Sequence, residues 1–479
     1  MTAAAATSDP RATDAAAAVL RAGGNAVDAA VTAAFVLYVV EPQSCGIGGD
    51  GFMFVHRDRG APHALGGSGS VPHGLTSSAL AADGLDNVPA RGAKTVTPPG
   101  AVRLLEDALE RYGSIPLATA IAPAHDLARQ GFAVRGTLAV AARSAQTNSP
   151  DVTNDPVLGP LYWPGGDAVV DGDIVVNHAL ADALELLAEH GSEAMRTGIL
   201  AEAIATTVAE HGGYLTREDL AEHETEIITP ASIDFAGHTV WQMPAPTQGP
   251  AVLAALRDVD ASETIEWAEV VRVMRAAMVE AGFDPAAVTV GTPSPAKGDT
   301  TFLAVIDHDG TGVSLITSVF GDFGSHLGIG ALGGPIHNRA TTFRLAARPL
   351  GPGKPPHTTI PGLVTGPSGE LRALVGVAGG VMQPQTQVQL IMRMLLEGRD
   401  PQDAIDQPRF KICFGGGLSL EAGHPLSPRF PEALEKNPGP EGFGAAQVVA
   451  WHDGALAAGA DRRRGGTAIV LTGRQTGGG

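Results

Sequence analysis

Two strand-like segments joined by a tight turn constrain the fold of this chain more than any other feature. TTFLAVID, which begins at Thr300, and VSLITSVF, which ends at Phe320, are rich in β-branched and apolar residues, and the HDG between them is a hairpin signal. If Asp307 pairs with Thr311 across the turn, the register places Thr300 opposite Ser318 on one face of the ribbon. On geometry alone, two facing hydroxyls indicate no more than a cross-strand hydrogen bond.

The rest of the 479 residues predicts helices layered on antiparallel sheets, an α+β chain with its helices concentrated in the first two thirds. A net charge of −19 makes nucleic acid an unlikely partner, because phosphate binding needs a basic face. The apolar stretch Ala29–Val40 is too short to span a bilayer. Two cysteines cannot build a disulfide framework, and the N-terminus lacks a signal-peptide pattern, so we expect a cytoplasmic protein without membrane partners.

Several familiar sites are absent from the sequence. It has no GxSxG, HExxH, CxxC or GxxxxGK[ST] motif, and its fifteen histidines show no metal-ligand spacing. Gly46, Gly48 and Gly51 match GxGxxG, but they follow a predicted helix and precede a predicted strand, the reverse of a dinucleotide site. We therefore expect neither a metal nor a cofactor. The Pro/Gly-rich segment 287–298 predicts an exposed loop just before Asp299.

Several ordered motifs along the chain give the hairpin a possible chemistry. AGGNAVDAAVTAAFVLYVVEPQSCGIGGDGFMFV, GDTTFLAVIDHDGTGVSLITSVFGDFGS, KPPHTTIPGL and GVAGGVMQPQTQVQL resemble the motifs of the γ-glutamyltranspeptidase family. The resemblance implies an N-terminal nucleophile hydrolase, a four-layer αββα sandwich made as an inactive precursor. It also implies self-cleavage between Asp299 and Thr300, which yields a large subunit (1–299) and a small catalytic subunit (300–479) within one domain.

The resemblance also assigns catalytic roles. Thr300 matches the nucleophile, and Ser318 matches the hydroxyl residue that hydrogen-bonds it, in agreement with the hairpin register. Gly379 and Gly380 match the glycine pair whose backbone N–H groups form the oxyanion hole. The α-amino group freed on Thr300 would act as general base, because its pKa of about 7.7–8.0 lets it take and return a proton near neutrality.

The chain departs from the family where that family grips a γ-glutamyl group. The segment Ala64–Pro72 lacks the expected arginine, His357 and Thr358 stand at a Ser-Ser pair, and Phe320 replaces an asparagine. Arg339 falls at an amide or acid position. Two interpretations stay open: Arg339 and His357 bind a carboxylate or oxo group of another acyl donor, or Arg339 is a structural ion-pair residue.

The sequence thus predicts a self-processing threonine amidohydrolase or acyltransferase whose partners are a small-molecule amide and the two fragments of its own precursor. One alternative is an acylase acting on oxamate or another dicarboxylic monoamide. An alternative from another class is an unprocessed, inactive scaffold or binding protein. The altered γ-glutamyl contacts favour hydrolysis over transpeptidation.

Overall fold

The structure is a computed structural model that describes residues 2–261, 264–286, 298–346, 348–434 and 442–472. Apart from Gly298, the predicted loop at 287–298 lies outside the described residues. The strands are β1 (Thr2–Thr7), β2 (Asp50–His56), β3 (His63–Gly66), β4 (Phe132–Ala133), β5 (Ile174–Val175), β6 (Glu226–Ile228), β7 (Ala231–Phe235), β8 (His238–Gln242), β9 (Gly298–Ile306), β10 (Gly312–Gly321), β11 (Gly328–Ile329), β12 (Gly334–Pro335), β13 (Gly362–Thr365), β14 (Leu371–Ala378), β15 (Phe410–Ile412), β16 (Leu418–Leu420), β17 (Ala445–His452), β18 (Ala455–Ala460) and β19 (Thr467–Thr472). The helices are α1 (Pro10–Arg21), α2 (Ala26–Val40), α3 (Ser77–Ala82), α4 (Ala101–Tyr112), α5 (Leu117–Gln130), α6 (Gly136–Asn148), α7 (Leu158–Tyr162), α8 (His178–His190), α9 (Glu193–Arg196), α10 (Ile199–Glu210), α11 (Arg217–Ala221), α12 (Gly249–Asp258), α13 (Trp267–Glu280), α14 (Met382–Leu395) and α15 (Pro401–Asp406).

Two antiparallel sheets form the centre of the described molecule. The first has the strand order β19-β1-β9-β10-β2-β3-β6, and the second has the order β18-β17-β14-β13-β8-β7. Each sheet combines strands from before residue 299 with strands from after it. The N-terminal strand β1, for example, lies between β19 and β9.

Three apolar layers separate the sheets and helices. Alternate β9 residues, Phe302, Ala304 and Ile306, face the second sheet, where they pack with residues such as Leu374. The intervening Leu303 and its strand neighbours pack against α1, α2, α4 and further helices on the outer face. Helices α12, α13, α14 and α15 cover the other sheet. This period-two alternation produces the expected four-layer αββα sandwich, which the structure confirms.

Helix α2 is the central helix of the first outer layer. Every one of its residues is buried, as expected for a helix that is apolar on all sides. Asn25 begins it with a capping box, accepting from the backbone N–H of Asp28 while Asp28 accepts from the N–H of Asn25. Glu41 ends the helix directly behind β9. Among the described residues, no helix is both long and apolar enough to cross a membrane.

The central hairpin has the predicted register from the turn as far as the pair formed by Thr301 and Thr317. Ile306 pairs with Gly312 and Thr301 with Thr317, as the sequence predicts. The register then shifts by one, so that Asp299 pairs with Phe320. A β-bulge therefore sets two residues of β10 opposite the single residue Thr300, and such bulges redirect side chains at sheet ends.

Candidate active site

Thr300 lies at the bulge, on the face of β9 that packs against the second sheet. Its side chain is buried, and its Oγ1 donates a hydrogen bond to Ser318 Oγ at 3.2 Å. The backbone N–H of Phe320 donates to the same Ser318 oxygen at 2.8 Å. Ser318 Oγ therefore receives two donors, and this fixes its position beside the Thr300 hydroxyl.

Gly379 and Gly380 form the turn between β14 and α14 in the facing sheet. Strand β14 lies against β9: a Cβ on Gly376 would overlap the ring of Phe302, two residues after Thr300. Gly379 has φ +127° and Gly380 has φ +55°, conformations that favour glycine. The packing of the two sheets thus places Gly379 and Gly380 at the same end of the inter-sheet layer as Thr300.

A buried ion pair stands beside the two hydroxyls. Asp50, the first residue of β2, is the cross-strand partner of Ser318, so these two residues and Thr300 form a row across three adjacent strands. Arg339 donates from Nε to Asp50 Oδ2 at 2.7 Å and from Nη2 to Oδ1 at 2.6 Å. Its third nitrogen, Nη1, is buried and has no hydrogen-bond partner among the described residues. The guanidinium carbon lies 4.9 Å from the ring centroid of Phe320, which has φ +73°.

His357 belongs to the same buried cluster. Its Nε2 lies 2.6 Å from Ser68 Oγ and 3.9 Å from Asp50 Oδ2, and its Nδ1 lies 3.0 Å from Thr359 Oγ1. Lys354 donates from Nζ to the backbone carbonyl of Ser68. The segment that lacks the expected arginine therefore reaches the site through Ser68, with Lys354 next to it.

The surroundings set the charges of this cluster. Burial alone would raise the pKa of Asp50, but the charge of Arg339 and its two hydrogen bonds hold that pKa far below its ordinary value. Burial, reinforced by the charge of Arg339, lowers the pKa of His357 well below its ordinary value, so this imidazole is neutral at neutral pH. Asp50 and Arg339 thus offset each other. Burial lowers the pKa of Lys354, and the nearby carboxylate of Glu226 opposes that shift.

The structure brings most of the sequence-predicted residues together and adds others. Thr358 is buried next to His357, and Asp299 lies in β9 opposite Phe320. Asp50 was not predicted, because it is 250 residues from Thr300 and nothing in the glycine-rich segment around it indicates its spatial neighbours. A carboxylate directly before the apolar run Gly51–Val55 was the signal available, since a buried carboxylate must find a partner.

A threonine at the end of a central strand, enclosed between two antiparallel sheets with helices outside both, defines the class of N-terminal nucleophile hydrolases. Comparison with known proteins agrees with this class. The family model described as gamma-glutamyltranspeptidase matches residues 12–290 and 268–471. The chain belongs to the γ-glutamyltranspeptidase family and is an enzyme of that hydrolase class.

Three relatives illustrate the range of the family. The chain is 31% identical to the glutathione hydrolase-like YwrD proenzyme of Bacillus subtilis, covering 82% of this chain and 81% of that one. It is 30% identical to the oxamate amidohydrolase proenzyme of Klebsiella pneumoniae, covering 85% and 84%. The crystal structure of cephalosporin acylase from Bacillus halodurans superposes with a TM-score of 0.89 at 32% identity, covering 99% and 96%.

Among the described residues, no group of three or more histidine, cysteine, aspartate or glutamate side chains is placed to hold a metal ion.

Proposed function

We propose that this chain cuts itself between Asp299 and Thr300 and then hydrolyses an amide through an acyl-enzyme on Thr300. The single observation that carries this is the Thr300 hydroxyl, buried at the bulge and hydrogen-bonded to Ser318 at 3.2 Å. In the precursor, Thr300 Oγ attacks the carbonyl carbon of Asp299, the C–N bond breaks, and an ester replaces the amide. The nitrogen takes the hydroxyl proton, so this step frees the α-amino group of Thr300, and water then hydrolyses the ester to give the Asp299 carboxylate and the Thr300 hydroxyl.

In the mature enzyme, the same oxygen attacks the carbonyl of an amide substrate. The α-amino group takes the hydroxyl proton and passes it to the leaving amine, and Ser318 Oγ orients the attacking hydroxyl. The N–H groups of the Gly379–Gly380 turn stabilise the developing oxyanion. Water completes the cycle by releasing the acyl group as an acid.

The Asp50–Arg339 pair favours an acyl donor that carries a carboxylate and lacks an α-ammonium group. Both carboxylate oxygens of Asp50 already accept from Arg339, whereas Arg339 Nη1 is an unused, buried donor. Arg339 Nη1 can donate to a carboxylate, whereas the Asp50 carboxylate is already neutralised by Arg339 and attracts an ammonium only weakly. We therefore favour hydrolysis of a dicarboxylic monoamide over γ-glutamyl transfer, and assign this chain to a subgroup with an altered γ-glutamyl clamp.

A denaturing gel tests self-cleavage. We expect the 48.8 kDa chain to yield fragments of roughly 30 and 18 kDa when mass is shared by length, the smaller one starting at Thr300. Thr300→Ala should abolish both cleavage and amide turnover, and Thr300→Ser should retain both at lower rates. A chain that stays single after long incubation and has no amidase activity would instead support the scaffold interpretation.

A matched set of anilides tests the donor. Glutaryl, γ-glutamyl and butyryl p-nitroanilides have the same carbon spacer next to the amide carbonyl. The glutaryl compound carries a carboxylate at the far end of the spacer, the γ-glutamyl compound carries a carboxylate and an α-ammonium group, and the butyryl compound carries neither. We expect the glutaryl compound to have the highest kcat/KM and the Arg339→Gln variant to lose that preference. Faster turnover of the γ-glutamyl compound would contradict the proposed donor class and would leave the nucleophile assignment standing.

A further inference from the structure

A buried carboxylate lies on the other side of the nucleophile's strand. Glu41, at the end of α2, is only 4% exposed. Its Oε2 accepts from Thr301 Oγ1 at 2.7 Å and from Ser8 Oγ at 2.8 Å, and these two hydroxyl oxygens are 2.5 Å apart. The three side chains form a small polar cluster, the Glu41 cluster, inside the otherwise apolar layer between the first sheet and its helices.

The position of Glu41 is unfavourable for stability. The C-terminal end of a helix carries partial negative charge, so a carboxylate there is repelled rather than attracted. Burial adds a desolvation cost, which the hydrogen bonds from Thr301 and Ser8 reduce. The same hydrogen bonds tether the strand that carries Thr300.

What Glu41 holds is the residue next to the nucleophile. Thr301 follows Thr300, and its side chain points to the opposite face of β9. Thr301 and Thr317 also form the last regular pair before the bulge. The hydrogen bond to Glu41 therefore fixes the strand at the point where its register is about to change, one residue from the reacting hydroxyl.

Self-cleavage changes how Thr300 is held in place. Before the cut, the peptide bond to Asp299 restrains Thr300 from its N-terminal side. After the cut, Thr300 is a chain end, and chain ends fray unless they are tied down. Glu41 and Ser8 belong to the large fragment and Thr301 to the small one, so the Glu41 cluster ties the new end to the other fragment.

We propose that Glu41, acting through Thr301 with Ser8, is a positioning residue that keeps the Thr300 hydroxyl against Ser318 after the chain has been cut. The proposal rests on the proposed function of Thr300. Glu41 contacts neither substrate nor the reacting atoms. Its effect therefore falls on the rate of the chemical step, whereas the affinity for the substrate is unchanged.

The test uses the full-length protein and the isosteric change Thr301→Val, which removes the hydroxyl and keeps the shape. After complete processing, we expect kcat to fall by roughly tenfold to a hundredfold, since small misplacements of a reacting group have effects of this size. KM should stay within about twofold. Thr301→Ser restores the hydroxyl and should restore most of kcat, and Glu41→Gln, which offers a weaker neutral acceptor, should give an intermediate loss.

Thr32→Val is the matched control. Thr32 is buried in α2 and donates from its hydroxyl to the carbonyl of Asp28, in the same layer but away from the site. It should keep wild-type kcat, and any fall in its thermal midpoint measures the loss of a buried hydroxyl outside the Glu41 cluster. The proposal is overturned if Thr301→Val keeps wild-type kcat, if its loss lies in KM, or if Thr301→Ser fails to restore activity. A wild-type chain that never cleaves, or a Thr300→Ala variant that still does, would instead refute the proposed function.

Discussion

Replacing Ser318 tests whether its contact with Thr300 contributes to catalysis or only to stability. Its Oγ accepts from Thr300 and from the N–H of Phe320, so Ser318→Ala removes this acceptor from the proposed nucleophile and from a buried N–H. We expect processing and turnover to slow by roughly twofold to tenfold, the effect of losing one net hydrogen bond of about 0.5–1.5 kcal/mol. Gel densitometry and steady-state kinetics measure the two rates.

The same change four residues earlier is a control for general destabilisation. Ser314 lies on the same strand and face, is equally buried, and donates to the carbonyl of Gly362 in the second sheet. Ser314→Ala should lower the thermal midpoint to a similar extent and keep the rates. Equal rate losses in both variants would show that Ser318 acts only through packing.

Asp50 should make the largest contribution to the loss of folding stability at acidic pH. Its folded-state pKa lies far below the ordinary value of about 3.9, so its stabilising contribution is present above that value and is lost as pH falls below about 4. Breaking a buried pair costs about 3–5 kcal/mol, which is the destabilisation we expect for Asp50→Asn. Urea unfolding of the uncut Thr300→Ala background, followed between pH 3 and pH 7, measures both.

The double variant Asp50→Asn/Arg339→Met provides the check. Once both charges are gone, no uncompensated charge remains buried, so the double variant should be less destabilised than the sum of the two single changes. Simple additivity would mean that the two side chains do not act as a pair.

At the scale of elements, the turn between β14 and α14 should tolerate no side chain. A Cβ on Gly379 would lie 3.0 Å from the Cα of Gly444, and φ +127° is strained for any other residue. Gly379→Ala should lower kcat on the order of a hundredfold by moving the proposed oxyanion donors. Gly454, with φ +77° and open space around it, is the control: Gly454→Ala carries the backbone strain alone and should keep kcat.

The hairpin illustrates how far the sequence predicts this site. Strand periodicity and turn chemistry are local, so they predicted the pairs from Ile306 back to Thr301. The bulge at Thr300 was not predicted, because it depends on the loop from 336 to 342 packing onto the end of β10, where Asn338 accepts from the N–H of Gly321. Asp50 escaped prediction for the same reason: its neighbours are set by the order of strands in the sheet.

At the scale of the whole molecule, the predicted cut does not divide the structure into two bodies. The first sheet alternates between the prospective fragments, with β1 inserted between β19 and β9 and β2 paired with β10. The second sheet joins β8 to β13 in the same way. Separation would require breaking strand pairs in both sheets at once.

We therefore expect the cleaved protein to elute in gel filtration as one particle of unchanged size that contains both fragments, in high salt as well as low. The reason is that strand pairing and apolar packing hold the fragments together, and salt screens only charges. Urea at its unfolding midpoint should release them together. Elution of a free small fragment under native conditions would contradict the interleaved arrangement.

Because each sheet combines strands from both prospective fragments, we expect the chain to refold readily before the cut and poorly after it. An uncut chain folds with its strands tethered, so β1 meets β9 at an effective concentration that the connecting chain sets and that dilution does not change. Once the bond before Thr300 is gone, an unfolded molecule is two separate solutes that must meet again by diffusion at their bulk concentration. We therefore expect the cleaved enzyme to persist as long as it stays folded and to be lost after a single unfolding in dilute solution, so that its working life is set by its unfolding rate.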